Sequence, residues 1–290
     1  MVPFGTMSPT PPVRDVHAGH YRFLPGIAPF SSGVVAIAGY QVVHATLRAP
    51  IPWRDGFGLI DRHLRAEDRP RAALCAIELR SPAPFSFDGF DSFNAGYQAL
   101  LAEWKLHVDG DNPIARTNVA PVTGAPREPS LYAFSYTVPG ATPRPTFIVA
   151  GAGEMRERGV GTEGIVRHGE TSAAAMREKA AHVMGIMQAR LQGLGGAWPE
   201  VTAIDIYTAQ PIEAFLSETV LAPAGAAAIH GVRWFPSRPP IVGLEYEMDL
   251  RGVARELGLE LPPTFTPARR SSTWMMAVPS CLPRPAARAI

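Results

Sequence analysis

The sequence predicts an α+β fold made of two copies of one β-β-α-β-α-β-β unit. Short β-prone runs and helical stripes alternate between Gly19 and Glu256, and their order in the first half recurs in the second. The breakers Pro139-Gly140 and Pro143 separate the halves. Tandem duplication explains the recurrence, and chance similarity between short elements is the alternative. The chain is 46% hydrophobic, which is enough for a core of this size.

The predicted domains follow from this punctuation and from the distribution of proline. An N-terminal arm covers 1–18, a first domain 19–142, a second domain 143–256 and a proline-rich tail 257–290. Prolines cluster in both terminal segments, so these are predicted to be extended or disordered.

The elements of the first half are read from apolar spacing. A three-four rhythm predicts a helix around Phe57, and Asp91 or Ser92 is the predicted N-cap of the helix that follows. The predicted strands are one kinked strand or two strands over 33–47, then 72–79, the segment around Arg116, and 131–138.

The second half predicts the same order. A long helix over 170–194 has a predicted N-cap at Thr171 or Ser172 and ends at Gly195-Gly196. A shorter helix is predicted over 213–221. The predicted strands are 146–150, a weak one over 165–167, 201–207, 231–235 and 241–248.

Composition narrows the class of protein. The net charge of +1 gives no field that favours nucleic acid or an anionic membrane. No signal peptide or spanning stretch is recognised, and two distant cysteines suit a reducing compartment. We therefore expect a soluble cytoplasmic protein.

Arg116 is the first candidate binding residue. It is the one cation in the β-prone run Asn112–Pro121. Such an arginine is either a surface charge on an edge strand or a clamp for a carboxylate, which its planar fork binds through two parallel hydrogen bonds.

Several other motifs do not predict chemistry. The run 159–164 matches a dinucleotide-binding fingerprint, but it neither leaves a strand directly nor opens a helix, so a glycine-rich loop is expected. The eight histidines lack metal-ligand spacing, and Cys75 lies in an apolar strand. We expect no metal and no cofactor.

Glu245 and Glu247 alternate along the predicted strand 241–248, which places both carboxylates on one face. A solvated outer face explains this spacing. A general acid/base held at a sheet surface is the functional interpretation.

The run 90–97, with Asn94 and Tyr97, followed by Arg116 three residues before Val119, resembles the RidA/YjgF family. The second half resembles it through the run 147–151, the long helix and the terminal Glu-x-Glu strand. A double-length member with these features is similar to the subgroup of 2-aminomuconate and 2-amino-5-chloromuconate deaminases.

The resemblance implies a chorismate-mutase-like fold in each half and hydrolysis of an enamine or imine that bears a carboxylate. It implies that Arg116 binds this carboxylate, with Asn94 and Tyr97 beside it, and that Glu245 positions the water. It also implies threefold assembly, here a homotrimer of double-length chains.

The halves depart from the family pattern in complementary ways. The first half lacks the acid of its last strand, and Arg233 in the second half stands near the arginine position in an ambiguous register. Arg116 and Glu245 are therefore expected to share one composite cleft. Arg233, Arg48 and Arg167 are candidates for binding a second carboxylate.

Three functions remain open on the sequence. The first is a deaminase of a 2-aminomuconate-type dienoate, chlorinated or not, in aromatic catabolism. The second is a general hydrolase of 2-imino acids that uses the same residues. The third is a non-catalytic ligand-binding member of the family.

Overall fold

The computed structural model describes residues 11–156 and 161–260, which contain two mixed β-sheets and three main helices. The strands are β1 (Arg14–Val16), β2 (Tyr21–Leu24), β3 (Gly33–Ala36), β4 (Tyr40–Pro52), β5 (Leu74–Arg80), β6 (Ala115–Pro121), β7 (Ser130–Pro139), β8 (Phe147–Gly153), β9 (Ala203–Tyr207), β10 (Arg233–Phe235), β11 (Ser237–Arg238), β12 (Glu247–Gly252) and β13 (Arg255–Leu259).

The main helices are α1 (Trp53–Ala66), α2 (Phe87–Glu103) and α3 (Ala173–Gly193). The predicted helix 213–221 is an irregular helical segment, with a π-helix over Leu216–Leu221 between two single turns. Short 3-10 turns are His17–Gly19, Arg71–Ala73, Gly161–Gly164, Trp198–Glu200 and Gly225–His230.

The two sheets share one internal strand order. The six-stranded sheet runs β11-β6-β5-β7-β4-β13, and the seven-stranded sheet runs β1-β2-β3-β8-β12-β9-β10. Each sheet contains a parallel pair, β6 with β5 in one and β10 with β9 in the other. The next two strands, β7 and β4 or β12 and β8, each pair antiparallel with the strand before them. The recurrence seen in the sequence therefore covers four strands in each half.

The predicted fold class is wrong, because the halves are not two separate β-β-α-β-α-β-β domains. The strands β1 to β3 lie in the sheet of the second half, where β3 pairs with β8. Near the other end of the described chain, β13 pairs with β4 of the first half. The segment 33–47 does form two strands, but Gly39, with a φ of +83°, turns the chain so that they enter different sheets.

The helices cover the sheets with apolar stripes. On α3, side chains such as Met176, Val183 and Met187 pack on β8 and β12. Ser172 caps α3, as one of the two predicted caps, since its hydroxyl accepts from the amide of Ala175. The predicted caps of α2 are wrong: Ser86 caps it, and the helix starts about one turn earlier than expected.

The last predicted strand, 241–248, is also displaced. Gly243 has a φ of +96°, which turns the chain, and β12 begins only at Glu247. The amides of Glu245 and Tyr246 donate to the buried Glu154 carboxylate, at 2.6 and 3.0 Å, in place of a strand partner. Glu245 therefore lies in a loop rather than beside Glu247 on one strand.

The strand Arg14–Val16 pairs with β2, so part of the predicted N-terminal arm is a strand. The predicted tail beyond 260 lies outside the described residues. Within the described ranges, no helix is both long enough and apolar enough to cross a lipid bilayer.

Candidate active site

Arg116 lies on β6 and is 3% exposed, so it is not the surface charge that the sequence allowed. Its Nη2 donates to Oδ1 of Asn94 on α2 at 2.7 Å. Its Nη1 has no acceptor among the described residues. A buried guanidinium with one neutral partner and one unused donor is suited to binding an anion.

Four aromatic rings surround this guanidinium. Its central carbon lies 4.7 Å from the ring centre of Phe30 and 4.8 Å from that of Tyr97, with Phe90 and Phe93 at 5.6 and 5.7 Å. The ring faces partly replace the lost hydration of the cation. Burial lowers the pKa of Arg116 to about 10, so the side chain remains charged at neutral pH.

Tyr97 adds a second unused donor at this place. It lies one helical turn after Asn94 on α2, and it is fully buried. Its hydroxyl has no partner among the described residues, and burial raises its pKa. The structure thus brings together Arg116, Asn94 and Tyr97, three of the residues that the resemblance implied would bind the substrate.

Glu247 is a buried acidic residue that interacts electrostatically with Arg116. It is 4% exposed. The negative charge of Glu247 raises the pKa of Arg116, and the positive charge of Arg116 lowers the pKa of Glu247. Burial, and then the negative charge of Glu154, raises the pKa of Glu247 to about 8, while Arg190 and Arg116 oppose this rise. A carboxyl group that is mostly protonated at neutral pH can donate a proton.

Gly151 on β8 makes room for the Glu247 carboxylate. A Cβ atom at position 151 would overlap that carboxylate and lie 3.0 Å from the Thr117 hydroxyl. The amide of Gly151 donates to that hydroxyl at 3.1 Å, and the hydroxyl donates to Asp249 at 2.6 Å. The two sheets therefore meet at β6 and β8, directly beside Glu247.

Glu245, the predicted acid, is placed differently. Its carboxylate accepts a hydrogen bond from Nε2 of Gln210 at 3.1 Å, and the residue is half-buried. No contact joins it to Arg116 in the part of the chain that the structure describes.

Arg233 makes no contact with Arg116, Asn94 or Tyr97 among the described residues. Its Nε and Nη2 donate to the two oxygens of Asp205 at 2.6 and 2.7 Å, and Glu256 lies 4.0 Å from its Nη1. It lines an open surface pocket of about 350 Å³ with His230 and Thr202. An anionic ligand there would compete with two carboxylates that already hold the cation.

The other two candidates for a second carboxylate are also paired. Arg48 forms an exposed ion pair with Glu260. Arg167 forms exposed ion pairs with Glu170 and Glu178.

A buried ionic cluster lies between the sheets. Carboxylate oxygens of Glu78, Asp205 and Asp249 lie within 4.8 Å of one another. Arg251 donates to Asp205 at 2.8 Å, and Arg80 donates to Glu78 at 3.3 Å. Arg233 also donates to Asp205, so arginines already occupy two of these three acids.

The space beside this cluster is too small for a substrate. The cavity between the sheets, lined in part by Glu78, Thr117 and Asp249, measures about 10 Å³. This is room for at most one water molecule.

Comparison with known proteins gives the family. A family model described as 2-aminomuconate deaminase CnbZ matches residues 13–257. The 2-amino-5-chloromuconate deaminase of Comamonas testosteroni is 41% identical over 241 residues, which cover 82% of this chain and 95% of that protein. Membership of the RidA/YjgF family is not among these findings.

Two solved structures are similar at low identity. A chorismatase matches with 12% identity and a TM-score of 0.40, covering 81% of this chain and 77% of that one. A cyanuric acid hydrolase matches with 11% identity and a TM-score of 0.38, covering 76% and 69%. By the family match and the 41% identical relative, the chain belongs to the 2-aminomuconate deaminase family and is a deaminase of the 2-aminomuconate type.

Proposed function

We propose that this deaminase hydrolyses the C–N bond of a 2-aminomuconate-type dienoate, with Arg116 binding the 2-carboxylate and Glu247 transferring the protons. The observation that carries this proposal is the pair of unused buried donors, Nη1 of Arg116 and the hydroxyl of Tyr97, within electrostatic range of the buried Glu247 carboxyl group. Unpaired donors are costly in a protein interior, and a substrate carboxylate would satisfy both.

The chemistry follows from the protonation state of Glu247. Its raised pKa keeps a proton on the carboxyl group, which can protonate a carbon of the enamine while the nitrogen lone pair forms the C=N bond. The resulting carboxylate then takes a proton from the water that attacks the imine carbon. Glu247 then gives this proton to the nitrogen, the C–N bond breaks as the hydroxyl oxygen forms the C=O bond, and the hydroxyl proton returns to the carboxylate. One water enters, and ammonia leaves with the 2-oxo acid.

Arg116 would contribute by positioning the substrate. Its contacts with Asn94 and the aromatic rings hold the guanidinium in one place, so a bound carboxylate fixes the reacting carbons relative to Glu247. At 3% exposure the guanidinium is covered, and the half-buried Phe30 lies in a loop next to the exposed Ile27. Substrate entry therefore requires this loop to move.

A direct test compares Glu247→Gln with Glu245→Gln, because the sequence favoured Glu245 and the buried geometry favours Glu247. With 2-aminomuconate as substrate, we expect Glu247→Gln to lower kcat by about 10²- to 10⁴-fold, the usual effect of losing a general acid/base group. We expect Glu245→Gln to retain kcat within about threefold. Ammonia release under saturating substrate measures both. The reverse ranking would move the acid/base role back to Glu245.

The substrate range is a separate part of the proposal. The 41% identical relative is named for a substrate with chlorine at carbon 5, and we propose that this chain accepts both the chlorinated and the unsubstituted dienoate. Competition between 2-aminomuconate and a small 2-imino acid in one assay distinguishes this range from general imino acid hydrolysis. Preference for the small imino acid would contradict it.

We also propose self-association, as a homotrimer. Ile229, Trp234 and Val242 are large apolar side chains that are 86%, 38% and 57% exposed within one segment, and such side chains support a contact between copies. Light scattering is the measurement, and a monomer at micromolar concentration would refute this proposal.

A further inference from the structure

β6 carries a second buried polar side chain on the same face as Arg116. Asn118 follows Arg116 by two residues and is also 3% exposed. Alternate residues of a strand point to one face, about 6.6 Å apart along it. Thr117, between them, points to the other face, where its hydroxyl donates to Asp249 of the second sheet.

Only half of the Asn118 amide is used. Its Oδ1 accepts from the hydroxyl of Ser81 at 2.9 Å. Its Nδ2 has no acceptor among the described residues. An amide donor buried without a partner is unfavourable unless a ligand completes it.

Asn112 shows how this chain satisfies a buried asparagine with a structural role. It is equally buried, at 3% exposure. Its Nδ2 donates to the carbonyl of Pro29 at 2.7 Å, and its Oδ1 accepts from the amide of Ile114 at 2.9 Å. The unused Nδ2 of Asn118 is therefore a property of its position rather than of its residue type.

We propose that Asn118 binds the second carboxylate of the substrate, at the far end of the dienoate from the carboxylate held by Arg116. This inference rests on the proposed function and names the residue that selects a dicarboxylate. The two residues stand one two-residue step apart on one face, about 6.6 Å along the strand, and an extended six-carbon dienoate spans a comparable length. A neutral amide donor fits this role in a site that already holds one buried cation.

The sequence had offered arginines for this second carboxylate. Arg48, Arg167 and Arg233 each form ion pairs with acidic side chains of this chain. The second carboxylate would have to displace those acids, whereas Nδ2 of Asn118 is unoccupied by any described residue.

The test compares two substrates in steady-state kinetics. One is 2-aminomuconate, and the other is a 2-amino-dienoate that lacks the far carboxylate. We expect Asn118→Ala to raise KM for the dicarboxylate about tenfold, the value of one hydrogen bond to a charged group, and to leave KM for the monocarboxylate unchanged. Asn118→Asp, which keeps the shape, should raise the dicarboxylate KM further through repulsion, with kcat changed less than about threefold.

Asn112→Ala is the matched control, since it removes a buried asparagine whose bonds are internal. It should lower Tm and leave the ratio of the two KM values unchanged. An equal rise of both KM values in the Asn118 variants, or no rise in either, overturns the proposal. So does an Arg233→Ala variant that loses the preference for the dicarboxylate while Asn118→Ala keeps it.

Failure of the proposed function gives a different result. In that case the wild-type protein releases no ammonia from 2-aminomuconate. The Asn118 proposal is then decided by calorimetry with muconate, a dicarboxylate without the amino group. A tenfold weaker Kd for Asn118→Ala than for wild type supports it, and equal affinities overturn it.

Discussion

Arg116 and Arg251 are both almost completely buried, yet their surroundings are opposite. Arg251 donates to Asp205 at 2.8 Å and to Glu256 at 2.7 Å, and these acids raise its pKa. Arg116 has one neutral partner, four aromatic rings and an unused nitrogen, and burial lowers its pKa to about 10. The first guanidinium is satisfied by the fold, and the second keeps a donor that we propose a ligand uses.

The comparison distinguishes an arginine with a structural role, Arg251, from one that we propose has a functional role, Arg116. A buried ion pair holds two elements in register, and its loss leaves an uncompensated charge. A buried cation without a counter-ion reduces stability, and such a cost persists where activity requires it. Substitutions in the two regions should therefore differ in what they change, stability in one and activity in the other.

Arg251→Met should destabilise the protein most. It leaves Asp205 buried with one cation fewer, and breaking such a pair costs about 3–5 kcal/mol. Urea unfolding measures the change in free energy. A loss below about 1 kcal/mol would show that the cluster between the sheets is not a structural device.

Arg116→Ala should affect activity rather than stability. Removing one partner of a buried charged pair with the substrate predicts a loss in kcat/KM of about 10²- to 10³-fold. Arg65→Ala is the matched control, because Arg65 is 71% exposed and its ion pair among the described residues is with Asp61 on its own helix. Equal kcat/KM in both variants would show that Arg116 does not bind the substrate.

The pH dependence of stability should differ between wild type and Glu247→Gln. The folded pKa of about 8 lies above the unfolded value of 4.5. The contribution of the protonated carboxyl to stability is therefore fully present below pH 4.5 and is lost as the pH rises through 8. Between pH 5.5 and 9 we expect the Tm of the variant to gain on that of wild type by several degrees, as scanning calorimetry would measure. Parallel Tm curves would show that Glu247 ionises normally.

Tyr97→Phe should have the smallest effect. It removes one unused hydroxyl and keeps the ring beside Arg116, so the fold loses no hydrogen bond. We expect KM to rise about three- to tenfold, the value of one hydrogen bond, with Tm unchanged or higher. A lower Tm with unchanged KM would assign the hydroxyl a structural role.

The sequence predicted the elements better than their arrangement. Local spacing located α1, α2, α3 and most strands, because apolar periodicity is a local property. It missed the exchange of β3 and β13 between the sheets, since the partner of a strand is set by contacts far along the chain. The predicted fold class failed for this reason.

The candidate site shows the same limit. The resemblance, rather than the local pattern, implied that Arg116 binds an anion together with Asn94 and Tyr97, which lie on one helix and one strand. The choice of Glu245 rested on a strand that begins only at Glu247, after a turn stabilised by the distant Glu154. The unused donor of Asn118 depends on Ser81, and no local pattern could have shown it.

The central claim is that Arg116 is unsatisfied because it serves a ligand. Arg116→Met tests it most directly, since methionine fits an aromatic environment without a charge. Calorimetric titration with muconate and thermal unfolding should be measured on the same variant. We expect a Tm equal to or above that of wild type and no detectable muconate binding. A variant that unfolds well below wild type and still binds muconate with wild-type affinity would contradict it.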